Sequence, residues 1–422
     1  MTTAEALEPL RFYHRPDDPW SHLLAQCLPA LLEVYRLRLE CITLPFPDLE
    51  HAPRPEMLAR HALRDARDLA QYHVLSFPQR AVLPPAELAL LASRALLAPQ
   101  SSADYLRRAL ALGDALFTGD APRVHALTAA DAMPDEAAAH RLLEANHREL
   151  LDTGHYHSGM VAFRGMWYWG IDRLAHLEHD LLMAGLRRPE RSVGVLRRRP
   201  AAEWPAPPLH ANGGAPVELD WFCSFRSPYA YVSAARTLAL AARYPVTIRP
   251  KLIIPMKMAG FVIPDRKRDY FRMDAAREAL RHGVPFGNFC DPFGPGLERA
   301  MAAADVAQRA GRLVPYLLSV MQGVWADGID TASDEGMRRL SERAELDWRD
   351  VWPVLGSQSW RDWADRHREE LAALGQYAAP TYRLGDWVTW GQDRLWMVEQ
   401  KLRAALGLAA DRVDTPAWTS SP

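Results

Sequence analysis

The feature that most constrains this chain is a repeat spaced too widely to be a solenoid. Leu10-Arg-Phe-Tyr-His-Arg-Pro-Asp-Asp18-Pro19-Trp20-Ser21 is answered by Leu219-Asp-Trp-Phe-Cys-Ser-Phe-Arg-Ser227-Pro228-Tyr229-Ala230, a constant offset of 209 (228 minus 19). The same offset pairs Asp65 with Asp274, His73 with His282 and Phe77 with Phe286. Later in each half the offset becomes 221 (391 minus 170). Gly154-His-Tyr156-His-Ser158-Gly159 and Trp169-Gly170-Ile171-Asp172-Arg173 face Gly375-Gln-Tyr377-Ala-Ala379-Pro380 and Trp390-Gly391-Gln392-Asp393-Arg394. Long-period self-similarity implies whole domains rather than stacked short repeats. The 422 residues are therefore read as two copies of one domain.

Each copy reads strand, helix, strand, a long helical region, then strand, strand, helix. In the second copy the apolar run Glu218–Cys223 is a strand, and Pro228–Ala242, rich in Ala and Leu, is a helix. The β-branched Val246–Ile254, between Pro245 and Pro255, is a second strand. Asp265–Asp365 is helical, with breaks at His282–Gly296 and Gly328–Ser333. Thr381–Leu384 and Trp387–Trp390 make a hairpin over Gly385-Asp386, and Asp393–Leu406 is the closing helix. The order predicts an α/β protein: two tandem thioredoxin-like domains, each with an all-helical insertion. Boundaries fall at 9–187 for the first copy and 217–408 for the second. A Pro/Gly/Arg-rich linker occupies 188–216, and a tail occupies 409–422.

In that plan chemistry sits at the start of the first helix, where unpaired N–H groups and the helix dipole favour a negative charge. Ser227-Pro228 and Asp18-Pro19 occupy that place. Both are good helix openers on capping grounds alone. The cysteines Cys27, Cys41, Cys223 and Cys290 form no C-x-x-C pair, which excludes dithiol exchange and a zinc knuckle. A net charge of -2 supplies no domain-wide basic field, so no nucleic-acid partner is expected. No apolar run reaches the ~20 residues of a membrane span, and the first residues lack the pattern of a secretory signal. A cytoplasmic protein is expected.

The second copy resembles the 2-hydroxychromene-2-carboxylate isomerases, which group with kappa-class glutathione transferases among DsbA-like proteins. The resemblance rests on Ser227-Pro228-Tyr229-Ala230-Tyr231, on Lys267, Tyr270, Asp274 and Arg277, on Ala379-Pro380-Thr381, and on Trp390-Gly391-Gln392-Asp393-Arg394. It implies glutathione as cofactor. Ser227 would be the catalytic residue, stabilising the glutathione thiolate where DsbA proteins carry a cysteine. Pro380 would be a cis-proline, presenting the backbone of Ala379 to the cysteinyl unit. Gln392 and Asp393 would hold the γ-glutamyl end, and Lys267 or Arg266 would be the basic position. The implied reaction is thiolate addition to an electron-poor small molecule, bond rotation and elimination, or a transferase that keeps the thioether. The alternative is a non-catalytic tandem thioredoxin-fold binding or scaffold protein.

The loop Gly260-Phe261-Val-Ile-Pro264 departs from the family's Gly-Asn-x-Pro-Pro. The first copy departs further, with Asp18 for Ser227, Gly159 for Pro380 and Ile171 for Gln392, and reads as degenerate for glutathione. A metal site among His14, Asp18, His22, His155 and His157 has no ligand motif behind it, and none is assigned. Because relatives of this kind are homodimers, the resemblance also implies an intramolecular pseudo-dimer of the two copies.

Overall fold

A computed structural model of the chain describes residues 7–45, 50–129, 133–189 and 216–408. The expected linker, apart from its first two residues and Pro216, lies outside these residues, as does the tail. The chain divides into two compact units near residue 200.

In the first unit, β1 (Glu8–His14) leads into α1 (Pro19–Val34) and then β2 (Leu37–Thr43), which pairs parallel with β1. Such a strand–helix–strand start needs a helix with an apolar face to bury, and α1 buries Leu23, Leu24, Leu28 and Leu31. The helices α2 (Pro55–His73), α3 (Ala86–Leu96), α4 (Ser102–Thr118), α5 (Ala121–Thr128) and α6 (Glu136–Asp152) follow. The chain then returns as β3 (Met160–Phe163), antiparallel to β1, and β4 (Met166–Trp169), and ends in α7 (Leu174–Met183). The strand order is β2-β1-β3-β4.

The second unit has β5 (Val217–Cys223), α8 (Pro228–Arg243) and β6 (Val246–Leu252). Its helical region comprises α9 (Asp265–Arg281), α10 (Pro295–Arg309), α11 (Leu313–Gln322), α12 (Asp334–Arg343), α13 (Trp348–Val351) and α14 (Trp360–Ala373). The hairpin β7 (Thr381–Leu384) and β8 (Trp387–Trp390) and the helix α15 (Leu395–Ala405) complete it. The order β6-β5-β7-β8, with the same strand directions, repeats that of the first sheet. The starts of β1 and β5, of α1 and α8, and of β2 and β6 all differ by 209, and those of β3 and β7 by 221.

Pro250 lies inside β6 without breaking it, because β6 is an edge strand and need donate to only one side. Trp221 and Tyr382, neighbours in register on β5 and β7, are fully buried, and Trp360 of α14 joins them in one core with the α10–α11 residues Met301, Leu317 and Val320. That core fixes the sheet beneath the start of α8.

Candidate functional site

At the start of α8 the backbone of Ser227 is extended and its side chain folds back over the first turn. Its Oγ accepts the Ala230 N–H at 3.2 Å and donates to the Ala379 carbonyl at 3.0 Å. Ser227 and Ala379 are 152 residues apart, so the bond ties the helix start to the loop entering β7. The Ala379–Pro380 peptide bond is cis, as the sequence reading expected. The Pro380 carbonyl accepts from the Gly391 N–H at 2.9 Å, which brings the segment 391–394 beside the same loop.

Gln392 is buried, and both ends of its amide have partners within the chain. Oε1 accepts from Arg236 of α8 at 2.8 Å, and Nε2 donates to Glu278 of α9 at 2.7 Å. The same Nε2 also bonds the carboxylate of Asp393. Gln392 is thus a junction between α8, α9 and Asp393, rather than an exposed arm.

On α9, Lys267, Tyr270, Asp274, Ala275, Glu278 and Ala279 form the buried face, a three-and-four spacing that follows the helical period. Asp274 is fully buried and accepts from the Tyr229 hydroxyl at 2.8 Å and from Arg277 at 2.7 Å. The first unit repeats this pairing with different chemistry: Trp20 Nε1 donates to Asp65 at 2.8 Å. The Tyr229 bond ties the first turn of α8 to α9. Of the two basic candidates, Lys267 is the buried one, with its Nζ 5.7 Å from the Phe271 ring, and burial pulls its pKa down to about 8.

Two loops wall the site. Phe261, in the divergent loop before α9, sits 6.0 Å from the Tyr377 ring, and Tyr377 leads into the cis-proline. In the α9–α10 loop, Asp291 receives a bidentate pair from Arg226, 2.7 Å on each arm, directly before Ser227. Burial works to raise the Asp291 carboxyl, but Arg226, helped by the Phe293 N–H and Arg272, holds its pKa below the usual range. Sequence reasoning missed the clamps made by Arg226 and Arg236. Neither stands in a spacing that marks it, since the partners lie 65 and 156 residues away.

The first unit holds different groups in the corresponding places. Asp18 is buried, its Oδ1 accepts the Trp20 N–H at 3.0 Å and its Oδ2 accepts from Ser158 at 2.7 Å. Burial raises the Asp18 carboxyl despite Arg15 and these bonds. Gly159 has φ of +66°, and a Cβ there would lie 3.2 Å from both Asp18 Oδ2 and the Ser21 nitrogen. The histidines do not converge: His14 Nδ1 faces Ser21 Oγ at 2.6 Å, whereas His22 faces Asp114 at 3.3 Å. Among the described residues no group of three His, Cys, Asp or Glu side chains is placed to hold a metal ion. Nor is any described helix long and apolar enough to cross a membrane.

Residues 218–403, most of the second unit, match the DSBA-like thioredoxin domain family. Curated relatives of this unit are 2-hydroxychromene-2-carboxylate isomerases. That of Pseudomonas putida is 27% identical over 192 residues, covering 44% of this chain and 93% of its own. That of Pseudomonas sp. (strain C18) is 26% identical over 197 residues, covering 45% of this chain and 92% of its own. A solved 2-hydroxychromene-2-carboxylate isomerase aligns at 25% identity and a TM-score of 0.40, with 46% of this chain and all of that one covered.

Proposed function

We propose that the second unit is a glutathione-dependent isomerase acting on an electron-poor small molecule. The observation that carries this reading is the placement of Ser227 Oγ at the start of α8, against the carbonyl preceding the cis-proline. A hydroxyl there can rotate its proton toward a sulfur anion, and the neighbouring N–H groups and helix dipole favour the same charge. The residues fit glutathione. Ser227 would hold its sulfur, the Ala379 backbone its cysteinyl unit, Asp393 its γ-glutamyl ammonium and Lys267 an anionic group. Gln392, pinned by Arg236 and Glu278, would orient Asp393 rather than reach the ligand first. Glutathione supplies a thiol able to add reversibly to an activated double bond and leave again.

The chain's own contribution would be to lower the cost of a thiolate at the start of α8. The relatives' names favour isomerisation over transfer. All four cysteines have pKa values raised by burial, about 12 for Cys27 and Cys41, which disfavours them as nucleophiles and leaves that role to glutathione's thiol.

In the first unit, the Asp18 carboxyl takes the helix-start donor and stands where a thiolate would go. Titration calorimetry of the whole protein with glutathione should give one site per chain. Two equivalent sites, or none, would refute the assignment. A tandem duplication accounts for the shared strand order and the two constant offsets, and pairing of the copies within one chain belongs to the same proposal. Expressed alone from Pro216, the second unit should self-associate or be insoluble. A stable, fully active monomer in sedimentation would remove that part.

A further inference from the structure

Helix α11 does not end as an ordinary α-helix. After Gln322 it widens into a π turn over Gly323–Asp327, closed by Gly328 at φ of +66°. Such turns recur at functional sites. Carbonyls at a helix end lack helical partners, and here two of them hold the α9–α10 loop. Val324 accepts the Cys290 N–H at 2.9 Å, and Trp325 accepts the Gly287 N–H at 3.0 Å. The buried Trp325 ring stacks on Phe289 at 4.3 Å and 21°, and on Phe286 at 5.6 Å and 14°. Its Nε1 donates to the Phe225 carbonyl at 3.0 Å.

That carbonyl lies on the approach to Ser227. Residues 224–227 form a tight turn, closed by the Ser227 N–H on the Ser224 carbonyl at 3.1 Å. Phe225 is fully buried inside the turn, and a buried carbonyl there needs a donor. The indole supplies it and orients the peptide plane leading to Arg226 and Ser227. The loop that Trp325 stacks against is tied to the same helix start, through Asp291 on Arg226 and through the Tyr231 hydroxyl, which donates to the Pro285 carbonyl at 2.7 Å. The first unit keeps the ring and the carbonyl without the donor. Phe117 of α4 packs on Phe77, which pairs with Phe286 at the offset of 209, with centroids 5.2 Å apart. The Phe117 carbonyl accepts the Val82 N–H at 2.9 Å. Phenylalanine has no N–H to give, and α4 passes through Thr118 into its Gly119 cap with no π turn. The donor thus accompanies Ser227 and is missing beside Asp18.

We propose that Trp325 is a positioning residue for the Ser227 site, its indole N–H setting the turn that aims the Ser227 hydroxyl. The inference rests on the reading of the second unit as glutathione-dependent. The test follows the thiol pKa of glutathione bound to the full chain, read from thiolate absorbance. Trp325→Phe keeps the ring and the carbonyl bond, as Phe117 does, and removes the donor. It should raise the bound thiol's pKa by about 1. It should leave S-methylglutathione affinity within about twofold of wild type, because the grip proposed at Ala379 and Asp393 is untouched. A merely structural role would not separate the two readings. Phe289→Leu removes the closest stacked ring at a half-buried loop position and should raise the same pKa, which covers the case in which Trp325→Phe fails to fold. An unchanged bound-thiol pKa in a folded Trp325→Phe protein would overturn the proposal, as would a parallel loss of S-methylglutathione affinity. If that variant does not fold, an unchanged pKa in Phe289→Leu overturns it. A wild-type protein that leaves the thiol of glutathione at its free value would overturn the glutathione reading and this inference together, so the two failures are told apart.

Discussion

Ser227→Ala should lower kcat/KM for glutathione-dependent isomerisation by about a hundredfold, and Ser227→Asp should abolish it. A hydrogen bond to a charged group is worth about 1.5–3 kcal/mol, and one donor to a developing anion is worth roughly 10²–10³ in rate. The alanine variant also loses a helix cap, because Ser227 Oγ accepts the Ala230 N–H. That loss alone costs about 1 kcal/mol of stability. The aspartate variant separates the two effects. Aspartate caps as well as serine, so the fold should hold, yet its carboxylate repels a thiolate in the way Asp18 does in the first unit. Ser227→Thr keeps both cap and hydroxyl and should retain most activity. A fully active, folded Ser227→Asp protein would show that the hydroxyl serves only as a cap.

The strands and the first helix of the second unit were legible to within a residue or two, whereas its helical region runs eight residues past the expected Asp365, to Ala373, and has further breaks after α10, after α12 and before α14. The strand expected over Glu218–Cys223 spans Val217–Cys223, and the helix expected to end at Ala242 ends at Arg243. The helical breaks at His282 and Gly328 separate α9 from α10 and α11 from α12. Proline and glycine caused this clarity, since they punctuate the backbone wherever they stand. The hairpin over Gly385-Asp386 also has the expected bounds, because Gly385 takes φ of +58° in its turn. The expected strand Val246–Ile254 is shorter, ending at Leu252. The chain turns there, with the Ile253 N–H still reaching Cys223, before Pro255 removes a donor.

The site was legible only where a residue acts through its own position. Ser227, Ala379 and Pro380 could be located because a helix start and a loop before a strand are local features. For Gln392 the sequence shows the residue type and hides the neighbours that hold its amide. Its partners Arg236 and Glu278 lie 156 and 114 residues away, and neither distance is marked by any period. The first unit shows the same limit. Asp18-Pro19 reads as a helix opener, and Asp18 caps α1. Its bond to Ser158, 140 residues on, emerges only when α1 and the loop before β3 are brought together.

The Lys267→Met substitution should stabilise the protein by up to roughly 3 kcal/mol at pH 7, and the gain should vanish as the pH rises. Lys267 is buried on α9, and desolvation pulls its pKa from 10.5 to about 8. Burial thus disfavours the ammonium in the folded state, while the unfolded chain keeps the ordinary value. Below pH 8 both states carry the proton, and the folded state bears the full cost. Between about 8 and 10.5 the folded state releases the proton first, so wild-type stability climbs toward that of the variant. Methionine keeps the apolar stem and removes the charge, so urea denaturation should show the difference shrinking across that window. A difference independent of pH, or a loss of stability at pH 7, would exclude a desolvated ammonium. The same substitution should weaken S-methylglutathione, a ligand with no thiol to titrate, and should flatten the decline in wild-type affinity above pH 8. A buried lysine that costs stability yet favours an anion when protonated is the trade expected of a binding residue rather than a packing one. If the variant binds S-methylglutathione as tightly as wild type, Lys267 has no part in the site.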